Sequence, residues 1–338
     1  MLDRSAKDWF SALLGAALPA EGQSVELHGR TLTMRGGILR AQELVSAAQE
    51  QTSDTFGFKW AKRDTFEGES VRVMKAWLIE KYGNVPEAPW LFEGGPNPVL
   101  LDAGCGAAQS AIALFEPVLD RIRYLGADVS TAVEVAKSRF DERGLPGAFI
   151  QADLNQLPLP DASVDLIFSE GVLHHTDDTR GALTAVTRLL KSGGRFLFYV
   201  YRKKGPIREF TDDYVRGRMQ AMTPEQGWQA MVPLTKLGKL LGELDIEIDI
   251  PEPIALLDIP AGRIKLQRFV YWHVLKAFYR PEMTLDEMNH INFDWYAPRN
   301  AHRQSPEEVR AWCREAGLEV EREVVEDAGI TIVARRER

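Results

Sequence analysis

The chain has only two cysteines in 338 residues, Cys105 and Cys313, in neither a metal-binding spacing nor a pairing pattern. That excludes a disulfide scaffold and a structural zinc site, and it fits a reducing, cytoplasmic setting. Positive charge is not in excess either: 41 Lys and Arg against 49 Asp and Glu leave a net charge of −8. Wholesale attraction to nucleic-acid phosphates or to an anionic membrane is thereby excluded, although a local basic patch can still hold a small anion. The expected partner is a small or neutral molecule. No uninterrupted apolar run is long enough to span a bilayer. The stretch Leu13 to Ala20 follows Asp3, Arg4, Lys7 and Asp8, which is no basic leader, and reads as an amphipathic helix. Internal repeats and low-complexity segments are lacking as well. With 45% hydrophobic residues, the chain can bury one large core or two modest ones, so a single α/β domain with additions is expected.

What is present is a glycine turn. Val99-Leu100-Leu101-Asp102-Ala103-Gly104-Cys105-Gly106-Ala107-Ala108-Gln109 runs from a short apolar strand through two glycines into the apolar stretch Ser110 to Phe115. Glycines there let the backbone turn sharply beneath a ligand, while the N–H groups of the following helix face whatever lies above. The dinucleotide fingerprint G-x-G-x-x-G is not matched, because Gln109 replaces the third glycine and Asp102 stands two residues before the first. A carboxylate at the cradle repels a pyrophosphate but favours an ammonium or a sulfonium, and S-adenosylmethionine carries both. A glycine turn holding no ligand is the plain alternative.

Strand and helix patterns alternate downstream. Arg123 to Ser130 reads as a strand ending in Asp128, followed by a helix over Thr131 to Arg143 that stops at Gly144. An acid at that strand end lies over the ribose in a doubly wound sheet, although Asp128 or Ser130 could equally cap the helix. Ala148 to Asp153 reads as a third strand and Val164 to Ser169 as a fourth. A helix over about Thr179 to Lys191 is followed by a Gly193-Gly194 turn into Arg195 to Tyr201. Ser305-Pro306-Glu307-Glu308 reads as a capped helix start, and Leu318 to Glu326 with Ile330 to Arg335 as an antiparallel terminal hairpin.

Asp102-x-Gly104-x-Gly106, the acids closing three successive strands and the terminal hairpin together resemble the class I S-adenosylmethionine-dependent methyltransferases. The resemblance is to the small-molecule enzymes of the methyltransferase-11 type, and it covers residues 99–201 and 305–338. It implies an α/β fold: a doubly wound, seven-stranded, mostly parallel Rossmann-like sheet with an antiparallel terminal hairpin. To this are added a mainly helical insertion cap and a small N-terminal extension. The boundaries expected are an extension over 1–70, a cofactor-binding core over 71–201 and 305–338, and a substrate cap over 202–304. That insertion is too long for a plain loop, and within it Arg263 to Arg280 reads as a buried helix. In the extension, Val25 to Met34 reads as a hairpin around Gly29; it resembles a zinc-ribbon remnant whose cysteines are missing. The segment Thr55-Phe56-Gly57-Phe58-Lys59-Trp60 resembles an aromatic stretch that precedes the core in small-molecule members.

The cofactor implied is S-adenosyl-L-methionine, leaving S-adenosyl-L-homocysteine. Its implied holders are Asp102, Gly104, Cys105, Gly106 and Gln109 in the cradle, and Asp128 and Val129 at the ribose. Asp153 and Leu154 would sit at the adenine, and Glu170 at the methionine ammonium. Asp153 as a surface acid and Glu170 as a helix-start acid are the ordinary alternatives.

Methyl transfer from a sulfonium needs geometry above all, and a hydroxyl acceptor additionally gains from a general base. His175, with His174 beside it, leaves the fourth strand where ligands bind in such folds; it is the base expected, with a loop-shaping histidine as the alternative. Tyr201, Arg202, Trp295, Tyr296, Arg299 and His302, with Arg303, are expected to border an acceptor pocket suited to a planar or carboxylate-bearing molecule, and Phe58 and Trp60 to line a lid. Ordinary packing and solvated cations explain the same residues. His290, Asp294 and His302 match no compact metal-ligand spacing, so no metal is expected.

The function expected is methylation of a small molecule, at oxygen ahead of nitrogen or carbon. A nicotinamide-dependent oxidoreductase and a cofactor-binding protein without transfer are the competing readings. The acceptor's identity, and the choice between monomer and homodimer, lie outside what the residues tell.

Overall fold

The computed structural model describes residues 4–41, 45–68 and 70–337, so the outermost ends of the expected extension and core, residues 1–3 and 338, lie outside the described residues. Helix α1 (Arg4–Leu14) precedes a meander of β1 (Ser24–Leu27), β2 (Arg30–Arg35) and β3 (Ile38–Ala41), and then come α2 (Ala47–Ala61) and α3 (Ser70–Tyr82). The alternating core follows as β4 (Val99–Ala103), α4 (Gln109–Phe115), β5 (Arg123–Asp128), α5 (Ala132–Arg143), β6 (Ala148–Gln151), β7 (Val164–Glu170), α6 (Thr179–Thr187) and β8 (Leu190–Tyr201). The insertion holds α7 (Pro206–Met219), α8 (Pro224–Glu243), the ribbon β9 (Glu247–Ile250) and β10 (Gly262–Lys265), α9 (Leu266–His273) and α10 (Leu285–Tyr296). The chain closes with α11 (Pro306–Glu315), β11 (Leu318–Val325) and β12 (Gly329–Arg336).

One ten-stranded sheet runs β1-β2-β3-β6-β5-β4-β7-β8-β12-β11. Strands β4 to β8 are parallel, and β12 and β11 complete the edge antiparallel. Those seven are the strands expected from the sequence. The other three come from the N-terminal meander, whose β3 pairs parallel with β6 (Leu39 opposite Ile150) and covers an otherwise open sheet edge. Helix α1 seals the addition by burying Trp9, Phe10 and Leu14 with Leu32, Met34 and Leu39 in the main core cluster. Because β5 and β6 lie on one side of β4 and β7 and β8 on the other, the loops leaving β4 and β7 diverge and open a crevice between them.

Three expected boundaries are corrected. The helix expected over Leu13 to Ala20 lies upstream as α1 and ends at Leu14, where Gly15 (φ +67°) turns the chain. Helix α6 stops at Thr187 and β8 already begins at Leu190; the pairing jumps from Val164–Leu190 to Leu166–Arg195, and the intervening residues form a bulge in which Gly193 has φ +80°. The helix expected over Arg263 to Arg280 is only Leu266–His273, because β10 takes up its start and side chains capture the peptide groups of its end. Gln267 donates to the Ala277 carbonyl at 2.8 Å, Asn292 accepts from Phe278 N–H at 3.0 Å, and Tyr296 Oη accepts from Lys276 N–H at 2.7 Å. Reciprocal capping boxes start α8 (Thr223/Gln226), α10 (Thr284/Glu287) and α11 (Ser305/Glu308), the last as the sequence expects.

Candidate active site

The carboxyl end of β4 turns through Gly104 (φ +81°) and Gly106 (φ +51°) before α4 begins. The loop folds back onto β5, where the Ala127 carbonyl accepts from Gly104 N–H at 2.7 Å and Cys105 N–H at 2.9 Å. Buried Arg139 of α5 props it from behind by donating to the Ala107 carbonyl at 2.6 Å. A methyl group on Gly106 would stand 2.8 Å from Trp60 Nε1, and one on Gly104 2.1 Å from a Val172 methyl, so both positions need glycine for space as well as for φ.

Above this turn lies a cleft of about 710 Å³, within the size range of small-molecule sites. All ten residues expected to hold a cofactor line it: Asp102, Gly104, Cys105, Gly106, Gln109, Asp128, Val129, Asp153, Leu154 and Glu170. Asp102 is 4% exposed and accepts from Tyr124 Oη at 2.6 Å. Burial pushes its carboxyl up to about 7, against the pull of the Tyr124 hydrogen bond. Asp128 accepts from Gly106 N–H (2.8 Å) with one oxygen and from Ser130 N–H (2.8 Å) and Oγ (2.6 Å) with the other, so it clamps the glycine turn to the start of α5. Burial raises its carboxyl too, offset by those bonds. Asp153 accepts from Asn155 N–H at 2.9 Å, and Gln109 donates to the Phe66 carbonyl at 2.9 Å. The Glu170 side chain is occupied by a 2.7 Å ion pair with Lys81 and a hydrogen bond from Tyr82 Oη.

The far half of the cleft comes from α2, α10, the 266–280 stretch and the ends of β7 and β8. Helix α2 turns Gln49, Thr52, Ser53, Phe56, Lys59 and Trp60 inward, and α10 turns Glu287, His290, Ile291 and Asp294 inward, both at helical spacing. Lys59 pairs with Asp294 at 2.5 Å, and Tyr201 Oη donates to the other Asp294 oxygen at 3.1 Å. Burial pushes the Asp294 carboxyl up, but Lys59, His175 and Lys276 outweigh it and hold it well below the ordinary range.

His175 lines the cleft and donates from Nδ1 to the Asn300 carbonyl at 2.6 Å, which fixes a neutral tautomer with its lone pair on Nε2. That nitrogen is sealed and has no hydrogen-bond partner among the described residues, and burial lowers the imidazole to about 4. His290 shows a parallel arrangement. Thr65 gives its own proton to the Lys62 carbonyl at 2.7 Å, so its Oγ1 accepts from His290 Nδ1 at 2.7 Å and leaves Nε2 as the acceptor.

Of the residues expected around an acceptor, Trp60 and Tyr201 line the cleft with His175; the structure places the others elsewhere. Phe58 faces the opposite side of α2, against Trp228 and Phe293. His174 is fully buried behind the wall, its ring 3.7 Å from that of Tyr201. Arg202 reaches to the tip of the terminal hairpin at Asp327 and Glu326. Trp295 and Tyr296 are turned away by α10 and donate to buried Asp212, each at 2.7 Å. Arg299 and His302 border a separate polar depression, where Arg303 pairs with Glu209 and Asp213; the 297–304 segment runs behind the histidines, with His302 N–H bonded to the His174 carbonyl at 2.9 Å. Lys59, His290, Asp294 and Lys276 were not expected there. The i, i+4 spacing of His290 and Asp294 was a readable signal, whereas nothing local marks Lys276.

Residues 101–198 match the family model described as a methyltransferase domain. An uncharacterized methyltransferase of Bacillus subtilis, YcgJ, is 36% identical over 145 residues, which cover 41% of this chain and 56% of that protein. The malonyl-(acyl-carrier protein) O-methyltransferase of Serratia marcescens is 30% identical over 145 residues, covering 42% and 51%. The chain therefore spans about half the length of the curated relatives it matches. Among solved structures, the 1,6-didemethyltoxoflavin-N1-methyltransferase of Burkholderia thailandensis, with bound 1,6-didemethyltoxoflavin and S-adenosylhomocysteine, is 15% identical. Its TM-score is 0.44, and the match covers 94% of this chain and 100% of that one.

Proposed function

We propose that this chain, whose residues 101–198 are an S-adenosylmethionine-dependent methyltransferase domain, methylates an oxygen of a small-molecule acceptor and leaves S-adenosyl-L-homocysteine. The observation that carries this reading is that a single cleft joins the glycine cradle and its buried acids to a second compartment lined by neutral histidines. The residues present fit the cofactor. Gly104 and Gly106 add no side chain of their own to a turn against which Val172 and Trp60 pack, Asp128 and Asp153 stand at successive strand ends, and buried Asp102 gains a counter-charge from a cationic guest.

When bound, S-adenosylmethionine supplies a methyl group on a positively charged sulfur that departs as a neutral thioether. The protein's part is to position and to keep dry. Asp128 and Val129 hold the ribose side, Asp153 and Leu154 the adenine side, and the Glu170 backbone the ammonium. Trp60 closes over Gly106. His175, oriented by the Asn300 carbonyl, is the proton acceptor of this reading: its Nε2 is sealed as the wall stands, so the wall must part for the acceptor hydroxyl to reach it, and the Asp294 carboxylate favours the resulting imidazolium. A second proton acceptor, His290, is favoured by its Thr65-fixed tautomer. The 202–304 insertion acts as the acceptor cap, since Tyr271, Lys276 and Phe278 line the far compartment. No helix among the described residues is long and apolar enough to cross a membrane. From the cysteine usage and the net charge of −8 we read the protein as cytoplasmic, acting on a small molecule without nucleic acid.

The test is transfer of labelled methyl from S-adenosylmethionine into a small-molecule extract. Label appearing in an acceptor whose free hydroxyl is required supports the reading. Tight cofactor binding with no labelled product would indicate a binding protein, and a preference for NAD an oxidoreductase.

A further inference from the structure

On the insertion side of the cleft, Lys276 is only 7% exposed, and its ammonium has no hydrogen-bond or ion-pair partner among the described residues. The surrounding acids are engaged elsewhere. Asp294 pairs with Lys59 at 2.5 Å, while Asp212 accepts from Arg208, Trp295 and Tyr296, each at 2.7 Å. The nearest stabilisation for Lys276 is the Trp295 ring, whose centroid lies 4.7 Å from Nζ. Burial therefore lowers the ammonium to about 7, with Asp294 pulling the other way and Arg208 adding to the fall.

The backbone carrying this group is held firmly. Lys276 N–H bonds to Tyr296 Oη at 2.7 Å, and the next two residues are fixed by Gln267 and Asn292. Two more cations without ion pairs among the described residues, Arg268 and Arg280, line the same wall; Glu287, Glu326 and Asp327 also line the cleft. A fixed, desolvated ammonium facing a cavity is costly unless something anionic enters, and one ammonium matches a singly charged oxyanion.

We propose that Lys276 anchors a carboxylate carried by the methyl acceptor, so that the substrate class is a small carboxylic acid with a methylatable oxygen. This rests on the methyl-transfer reading of the cleft. Tyr271, Trp272 and Phe278 line the same wall and suit a planar body for that acid.

Benzoate and benzamide share a shape and differ in charge, which makes them the probes. Calorimetric titration of each into the protein, with and without saturating S-adenosylhomocysteine, should give benzoate at least tenfold tighter binding. Lys276→Met should erase that preference while leaving S-adenosylhomocysteine affinity within twofold. Equal binding of the two probes to the unaltered protein, no binding of benzoate, or a preference that survives Lys276→Met would overturn the proposal. Should the variant not fold, the comparison on the unaltered protein still decides. Failure of S-adenosylhomocysteine to bind would strike the methyl-transfer reading instead, and the cofactor-free titration would still report on Lys276.

Discussion

His175 donates from Nδ1 to the carbonyl oxygen of Asn300 across 2.6 Å, and this one bond decides which ring nitrogen can do chemistry. Asn300 is itself fixed, by Thr52 Oγ1 on its N–H at 3.1 Å and by Asp177 on its amide at 2.8 Å. If Nε2 takes the acceptor proton, His175→Ala should lower kcat by about 10² to 10⁴, the usual range for a general base. Affinity for S-adenosylhomocysteine should stay within about twofold of the unaltered protein's. Steady-state kinetics and calorimetry check both, and full turnover in the variant removes His175 as the base.

The same burial couples His175 to stability. Its folded value of about 4 lies below the 6.5 of a free imidazole, so between those limits the unfolded chain binds more protons. The contribution is fully present above 6.5 and is lost as pH falls toward 4, for a total on the order of 3 kcal/mol. Asp102 acts oppositely, because a carboxyl raised to about 7 loses stability as pH climbs from 3.8. Urea unfolding of the protein and of His175→Phe should separate the two: relative to the variant, the unaltered protein should lose on the order of 3 kcal/mol as pH falls from 6.5 to 4, while the Asp102 contribution cancels in the difference. Parallel curves would contradict the buried, neutral ring.

Asp102 also predicts proton-linked cofactor binding. A cationic guest lowers a carboxyl that otherwise sits near 7, so binding releases a proton. Affinity for S-adenosylhomocysteine should rise roughly tenfold from pH 6 to 7.5 and then level off. Calorimetry in buffers of different ionisation enthalpy measures the release directly, and Asp102→Asn should suppress most of it. A pH-independent affinity would place the cation away from this acid.

Gly106→Ala tests the cradle itself. At φ +51°, with a side chain 2.8 Å from Trp60 Nε1, the added methyl forces either the turn or the indole to move. S-adenosylhomocysteine affinity should fall at least tenfold while the melting temperature shifts by only a few degrees. Unchanged affinity would mean that the ligand does not pass over this turn.

The cradle was readable because its signal is local: a strand, an acid, two glycines and a helix start lie within eleven residues, and Asp128 and Asp153 each close a short apolar run. The acceptor compartment was not, because its residues come from distant elements whose phase decides which side chains turn inward. Helix α2 presents Phe56, Lys59 and Trp60 to the cleft and Phe58 away from it; α10 likewise presents His290 and Asp294 and buries Trp295 and Tyr296. An aromatic cluster in sequence suggested a wall, and the helix turned its charged neighbour there instead. Lys276 lies in a stretch whose apolar pattern read as a continuing helix, and only the side-chain capture by Gln267, Asn292 and Tyr296 turns it into a fixed loop. The strands β1 to β3 gave a legible hairpin but no sign of the edge they would join.

In the proposed function, a cation-bearing nucleoside settles against the turn at the head of β4, gripped by Asp128. Titrating S-adenosylhomocysteine and NAD into the protein and into Asp128→Ala measures this directly. One-to-one binding of S-adenosylhomocysteine is expected, weakened by about 1–3 kcal/mol in the variant, with NAD much weaker throughout. Tighter binding of NAD, or an affinity indifferent to the loss of Asp128, would contradict it.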